Sequence, residues 1–374
     1  MKVGAVILAA GLSSRMGACK PLLPIGDSSM LAHAVESLRS GGVETVVVVT
    51  GHDGTAVCQE AQRLGVECCD NPDYLRGMLS SVQAGLRRLP KVDAFFLLPV
   101  DIPLVRPVTI RRLLDQFDGK RVLLPVFQKK PGHPPLIPGK KMGKIIAYAG
   151  PGGLDRYLKK QKVREVAVWD HGILLDADTQ EEYRRLQQRW SRLAVGEPQE
   201  AVALALQAMP ERGVRHGQMV AAVALAIGQR LCSNGLGLDL DLIHNGALLH
   251  DIAKGAPFHE QRGGSLLAGL GLTALVDVVS AHRDIGPPEA GELTEKEVVG
   301  LADKFVHGDD LVSLRQRYEE KLTRYAADPE ACRSIRRRLE RAESLLALVE
   351  YHLGCPVEHL LVAIPLVPVP VGTV

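Results

Sequence analysis

At 374 residues the chain is long enough for two or three domains, each burying its own core, and 46% apolar residues is the composition of a globular protein. A net charge of +2 excludes a generic attraction to nucleic acid or to an anionic membrane surface. The seven cysteines are scattered with no CxxC pair, so neither a zinc ribbon nor a redox dithiol is indicated. No run reaches the roughly 18 apolar residues of a membrane span, and the opening apolar run is too short for a signal peptide. The setting expected from these features is a reducing cytoplasm.

The first predicted element is a buried strand over Val3–Leu8. It opens into a loop of small residues, with Leu8, Ala9, Ala10, Gly11, Ser13, Ser14 and Gly17 interrupted by Arg15 and closed by Lys20. Small residues let backbone N–H groups approach an anion, and two cations within one loop suit a polyphosphate. A Walker A loop requires Gly-Lys-Ser/Thr in succession, whereas Gly17 is followed by Ala18-Cys19-Lys20. A helix is expected to start at Ser28 or Ser29, each a good N-cap.

The run from Glu44 to Thr50, rich in β-branched residues, predicts a strand covered on both faces, followed by a helix over 56–64 and a short strand at 66–68. Next come Asn71 and then Gly77, which opens a helix running to Leu89 with Ser80 and Ser81 in its first turn. Such a helix start suits a phosphate, although a capped amphipathic helix accounts for the same pattern. Phe95–Asp101 predicts a strand ending in a carboxylate. In parallel α/β sheets ligands bind beyond the strands' carboxyl ends, so Asp101 is a natural Mg²⁺ ligand or, alternatively, a cap for the next helix. A strand over 122–127 precedes the loop Gly132-His133-Pro134, and Asp176, Asp178 and the N-cap Thr179 lead into a helix ending near Trp190. Alternating strands and helices over residues 1–190 predict an α/β doubly wound, mainly parallel sheet.

Residues 191–199 read as a polar linker. From Glu200 apolar residues recur every three or four positions, which predicts an all-helical domain over 200–365 and a tail at 366–374. Within it, 314–349 reads as two amphipathic helices with solvated charged faces. The domain carries His216, the adjacent pair His250-Asp251, Lys254, His259, His282 and Asp303. Burying His and Asp beside an apolar helix end is costly without a partner for their charge. A divalent metal such as Mn²⁺, Fe, Ni²⁺, Co²⁺ or Zn²⁺ is such a partner.

Two resemblances follow. Leu8-Ala9-Ala10-Gly11, Ser14-Arg15-Met16-Gly17 and Lys20-Pro21-Leu22-Leu23 resemble the signature LAAGxSxRMGxxKxLL of the MobA-like nucleotidyltransferases. The resemblance implies a nucleotide-diphospho-sugar transferase-like fold that moves a nucleotide from an NTP to molybdopterin with Mg²⁺. Ala10 and Gly132-His133-Pro134 resemble the cytidylyltransferase branch, which implies CTP as donor. It further implies nucleotide binding by Leu8, Ala9, Ala10, Gly11, Ser14, Gly17, Asn71, Gly77, Ser80 and Ser81. Arg15 and Lys20 would then offset charge on departing pyrophosphate, and Mg²⁺ would sit on Asp101 and Asp178, with Asp176 as the alternative to Asp178. The chain departs from the family's GDxP and DxDTPEDL patterns at Val100 and Gln180. A molybdoenzyme is the implied protein partner; a sugar phosphate or another phosphorylated alcohol is the alternative acceptor.

His216, His250, Asp251 and Asp303 resemble the four defining positions of the HD superfamily of metal-dependent phosphohydrolases. That resemblance implies a second metal at His259 and His282, and a substrate phosphate at Lys254. A non-catalytic, nucleotide-sensing HD domain is the alternative.

Overall fold

The computed structural model describes residues 1–11, 18–52, 54–282, 285–288 and 291–362. It divides into two units, Met1–Ser191 and Arg192–Val374.

In the first unit β1 (Val3–Leu8) leads to the short hairpin of β2 (Pro24–Ile25) and β3 (Ser28–Ser29), which delivers the chain to α1 (Met30–Ser40). Ser29 caps α1, its hydroxyl accepting from the Ala32 N–H at 3.1 Å. β4 (Thr45–Thr50), α2 (Gly54–Arg63), β5 (Glu67–Asp70), α3 (Met78–Arg88), β6 (Ala94–Pro99) and α4 (Pro107–Asp115) follow. β7 (Val122–Phe127) turns tightly into β8 (Lys130–Pro131), and β9 (Leu136–Pro138), α5 (Met142–Ile146), α6 (Gly153–Lys159), β10 (Val163–Ala167) and α7 (Gln180–Arg192) complete the unit.

The strand order is β10-β7-β9-β6-β1-β4-β5, with β8 paired to β7. Pairings are parallel except those of β8 and β9, so the sheet is mixed but mainly parallel. The central strands are covered on both faces, as their unbroken apolar runs require: Val6, Ile7, Val47, Val48, Val49, Phe95 and Phe96 have no exposed surface. The chain leaves β1 on one side to form β4 and β5 and later returns on the other as β6. The gap between the ends of β1 and β6 is therefore the switch point at which such sheets bind ligands.

The last helix locks this arrangement. Asp170 is fully buried and accepts hydrogen bonds from, among others, the Arg106 N–H (2.7 Å), the Thr109 hydroxyl (2.8 Å), the Gly172 N–H (2.9 Å) and Arg189 Nη2 of α7 (3.0 Å). Further along α7 the Tyr183 hydroxyl donates to the Pro24 carbonyl, and Trp190 packs on His33 with ring centroids 4.2 Å apart. Gly26 has φ +57°, and a Cβ there would collide with the Trp190 indole, so this turn needs glycine.

Cys58 and Cys68 are bridged, with Cα atoms 5.6 Å apart, because the tight reversal from α2 into β5 brings together two cysteines ten residues apart.

The second unit contains α8 (Pro198–Ala208), α9 (Glu211–Ser233), α10 (Leu240–Leu249), α11 (His259–Gly269), α12 (Leu275–Ala281) and α13 (Glu295–Lys304). The two-residue ladder of β11 (Val306–His307) and β12 (Asp310–Leu311) precedes α14 (Leu314–Arg324), α15 (Pro329–Leu353) and α16 (Val357–Leu361). Only that ladder interrupts the helical pattern among the described residues. α7 extends to Arg192, and α8 opens with a reciprocal Glu197–Glu200 capping box, so the connection is shorter than the polar stretch implies. α9 and α10 cross closely at Gly217, where a Cβ would strike the Leu248 carbonyl. Among the described residues no helix is long and apolar enough to cross a membrane.

Replacing Asp170 with Ala removes a fully buried carboxylate that is ion-paired to the buried Arg189 guanidinium, and the expected loss is about 3–5 kcal/mol. Urea unfolding followed by tryptophan fluorescence checks this selectively, since both tryptophans, Trp169 and Trp190, lie in the first unit. Glu181→Ala removes only an exposed pair with Arg185 and should shift stability by less than about 0.5 kcal/mol.

Candidate functional site

At the switch point the chain leaving β1 is pinned on both sides. The Ala9 N–H donates to the Val49 carbonyl at 2.9 Å, and the Val100 N–H donates to the Leu8 carbonyl at 3.1 Å. Ala9 and Ala10 are buried, while Gly11 faces open space. Ser14, Arg15 and Gly17 lie outside the described residues. Asp101 lies two residues past the end of β6, whose last residue pairs with Leu8, the last of β1.

Lys20 joins Asp101 to a segment far away in sequence. Its ammonium lies 2.6 Å from Asp178 Oδ1 and 3.8 Å from Asp101 Oδ2, with the lysine side chain 12% exposed. Burial raises the Asp101 pKa; Lys20 opposes that, and Asp178 and Asp176 reinforce it. Asp176 is likewise raised by burial and by Glu182 and Asp178. Asp101, Asp176 and Asp178 lie around the Lys20 ammonium, and their hard oxygens suit Mg²⁺. A reciprocal cap fixes Asp178: Glu182 Oε2 accepts from the Asp178 N–H (3.0 Å) and the Thr179 N–H (2.8 Å), and Thr179 Oγ1 accepts from the Glu182 N–H (3.3 Å). The cap Thr179 is legible in the sequence, whereas the role of Glu182 is not.

In the second segment expected at the nucleotide, the side chains also build local structure. Asn71 Nδ2 donates to the hydroxyls of Ser80 (2.9 Å) and Ser81 (3.0 Å), and Ser80 Oγ lies 2.9 Å from both the Asp73 and the Gly77 carbonyls. Asn71 and Ser81 are buried. These side chains therefore hold the turn into α3, for which Gly77 at φ +96° is the N-cap. The turn stands beside the loop after β1, because Gly51 is wedged between Tyr74 and the Ala10 carbonyl. His133 lies in the loop after β8, its Nδ1 buried without a hydrogen-bond partner, and burial lowers its pKa.

In the second unit five elements converge. α9 supplies His216, the end of α10 supplies His250 and Asp251, α11 begins at His259, α12 ends beside His282, and α13 supplies Asp303. Three of the four imidazoles are oriented by a backbone carbonyl at Nδ1: Gly308 for His216 (2.7 Å), Ala247 for His250 (2.7 Å) and Val279 for His282 (2.6 Å). A ring whose Nδ1–H donates outward presents the Nε2 lone pair inward, which is how metal-ligating histidines are set.

The Nε2 atoms surround two carboxylates. Asp251 Oδ2 is 3.4 Å from His250 and 3.8 Å from His216, while Oδ1 is 3.5 Å from His259 and 3.8 Å from His282. Asp303 Oδ1 is 3.4 Å from His216 and 3.7 Å from His250. Two groups of donor atoms, His216-His250-Asp251 and Asp251-His259-His282, each lie within 4.8 Å of one another, so Asp251 is common to both. Burial would raise both carboxyl pKa values. His250 and Lys254 outweigh it at Asp251, and Lys304, His216 and Arg317 at Asp303, so both are held ionised. Burial, reinforced by His250, pushes His282 down to about 4 and keeps it neutral. This mixed imidazole–carboxylate set fits a borderline divalent metal at each of two positions.

Lys254, expected at a substrate phosphate, lies with its ammonium 2.5 Å from Asp251 Oδ2. Buried Lys304 bonds Asp303 Oδ2 and the His282 carbonyl, each at 2.9 Å. Arg317, read from sequence as part of a solvated face, is turned inward onto Asp303.

Residues 5–166 match the family described as MobA-like NTP transferase domain. The chain is 42% identical over 118 residues to a bifunctional IPC transferase and DIPP synthase of Rubrobacter xylanophilus, covering 30% of this chain and 26% of that protein. It is 26% identical over 192 residues to a molybdenum cofactor cytidylyltransferase of Escherichia coli, covering 51% of this chain and 98% of that one. It is also 29% identical over 195 residues to a nicotine blue oxidoreductase of Paenarthrobacter nicotinovorans, covering 49% of this chain and 96% of that one. The chain thus spans about a quarter of the first relative and nearly all of the other two. Residues 5–166 are a MobA-like NTP transferase domain, and the first unit belongs with the nucleotidyltransferases.

Proposed function

We propose that the first unit transfers CMP from CTP to a phosphorylated acceptor, with molybdopterin as the acceptor the resemblance favours. The observation that carries the reading is the meeting of Lys20, Asp101 and Asp178 at the switch point of the sheet, within a domain of nucleotidyltransferase kinship. Bound Mg²⁺ would neutralise phosphate charge. Asp101 and Asp178 are the oxygens that hold it, and Lys20 is the cation that faces the departing pyrophosphate. An acceptor phosphate oxygen attacks the α-phosphorus in line; the bond to the β-phosphate breaks, and pyrophosphate leaves with that electron pair. No protein nucleophile is required, since positioning and electrostatics carry such transfers. Ala10 and Gly132-His133-Pro134 favour CTP, and a molybdoenzyme receiving the product is the corresponding partner. The 42% identity to a transferase of a different acceptor keeps a sugar phosphate or another phosphorylated alcohol as the second reading.

The second unit is proposed as an HD-type metal-dependent phosphohydrolase. Its support is the inward Nε2 geometry of His216, His250 and His282 around Asp251 and Asp303. Bound divalent metals would supply Lewis acidity to a phosphate and to water. The histidines and aspartates hold them, and Asp251 spans both positions.

Pyrophosphate release with molybdopterin should depend on CTP and Mg²⁺, with GTP and UTP poorer by at least tenfold. Asp101→Ala should lower kcat by at least about 100-fold, in the range of lost electrostatic stabilisation. Faster use of a sugar phosphate with UTP would favour the second reading.

Elemental analysis should find up to two transition metals per chain in the wild type, about one in His282→Ala and none in His250→Ala/Asp251→Ala. The double variant should also lose phosphoester hydrolysis. Nucleotide binding without any hydrolysis by the metal-loaded wild type would instead indicate a sensing module.

A further inference from the structure

Arg317 has more donors than the structure satisfies. It stands on α14 with its side chain 15% exposed, and Nη2 reaches Asp303 Oδ1 and Oδ2 at 3.3 and 3.4 Å, long for a charge-assisted pair. Nε and Nη1 are buried and have no hydrogen-bond partner. Asp303 is meanwhile served by Lys304 at 2.9 Å and faced by His216 at 3.4 Å. One turn along α14 the Lys321 ammonium lies over the Tyr318 ring, 5.4 Å from its centroid. Partial burial of that ammonium and the neighbouring Arg317 and Lys304 cations pull its pKa down to about 8.

Two cations, Lys304 and Arg317, therefore contact one carboxylate, and a third, Lys321, stands one turn further along α14. A guanidinium cannot relieve the imbalance by losing a proton, and buried donors without acceptors are unfavourable, so the arrangement calls for an anion. Planar guanidinium groups match phosphate oxygens better than ammonium groups do.

We infer that Arg317 is a phosphate-binding residue of the second unit, and that the substrate class is one with a terminal phosphate rather than a phosphodiester. This rests on the phosphohydrolase reading. A terminal phosphate has three non-bridging oxygens, enough for two metal positions and for Arg317. A diester has two and leaves the guanidinium unmatched. In the hydrolysis, a water oxygen bonds to phosphorus, the phosphorus–oxygen bond to the leaving group breaks, and the water's proton ends on the leaving oxygen.

The test uses the full chain and two probes. Binding of inorganic phosphate to the Mn²⁺-loaded protein, measured by calorimetry, should weaken at least tenfold in Arg317→Met and less in Arg317→Lys, with metal content unchanged in both. Hydrolysis of glycerol 2-phosphate should exceed that of bis-p-nitrophenyl phosphate in the wild type. Arg317→Met should lower kcat/KM for the monoester about 100-fold and for the diester less than threefold, and added guanidinium ion should restore part of the monoester activity. Unchanged phosphate affinity in Arg317→Met, equal losses on both esters, or a wild-type preference for the diester would overturn the inference. Absence of turnover with every metal would instead reject the phosphohydrolase reading, and the phosphate titration alone would then decide whether Arg317 binds phosphate.

Discussion

A carboxylate with no exposed surface has to be matched by donors on all sides, and those of Asp170 include backbone N–H groups, the Thr109 hydroxyl and a guanidinium from α7. That demand fixes where α7 lies, and α7 in turn fixes the site of the first unit. From this helix Tyr183 holds the Pro24 carbonyl and Trp190 covers Gly26 and His33. Ile25, Met30, Leu104, Ala177, Tyr183 and Leu186 fill the space between. Lys20 lies just before the clamped turn, and Asp178 just before the helix. Their contact across 158 residues is thus a consequence of packing some distance from the chemistry.

The second unit meets its electrostatic demand in another way. Ionised Asp251 and Asp303, nearly buried, are compensated by imidazoles, lysines and an arginine that come from separate elements. Removing either carboxylate would leave buried cationic partners such as Lys304 unmatched, which makes the helical arrangement depend on the cluster as much as the cluster depends on the helices. Close contact of α9 with α10 at Gly217 brings His216 to His250, so even backbone spacing serves this centre.

Much of this was legible in residue order. Alternating β-branched runs and amphipathic stretches marked the mainly parallel sheet, and the strand-end position of Asp101 marked its ligand edge. His250-Asp251 after an apolar helix marked the buried imidazole–carboxylate cluster, because that pairing is costly to bury without a partner for its charge. What escaped were features whose meaning depends on tertiary neighbours. Asp170 reads as one more loop carboxylate, and Arg317 sits in a charged helix whose periodicity does not show which cation turns inward. Cys58 and Cys68 become partners only once the chain reverses between α2 and β5. Ser80 and Ser81 carry the right chemistry for an anion, yet Asn71 engages both hydroxyls in local structure.

The reversed strand β9 bears on how this domain could change. A parallel sheet normally sends each connection across to the opposite edge before the next strand begins. Because β9 runs against β6 and β7, residues 128–135 start and finish on the same edge as Asp101. The closure entropy of such a loop grows only slowly with its length. Insertions or deletions there can remodel the surface beside Asp101 without shifting strand register, so this edge can vary in shape while the pairing of β1 with β6 stays fixed.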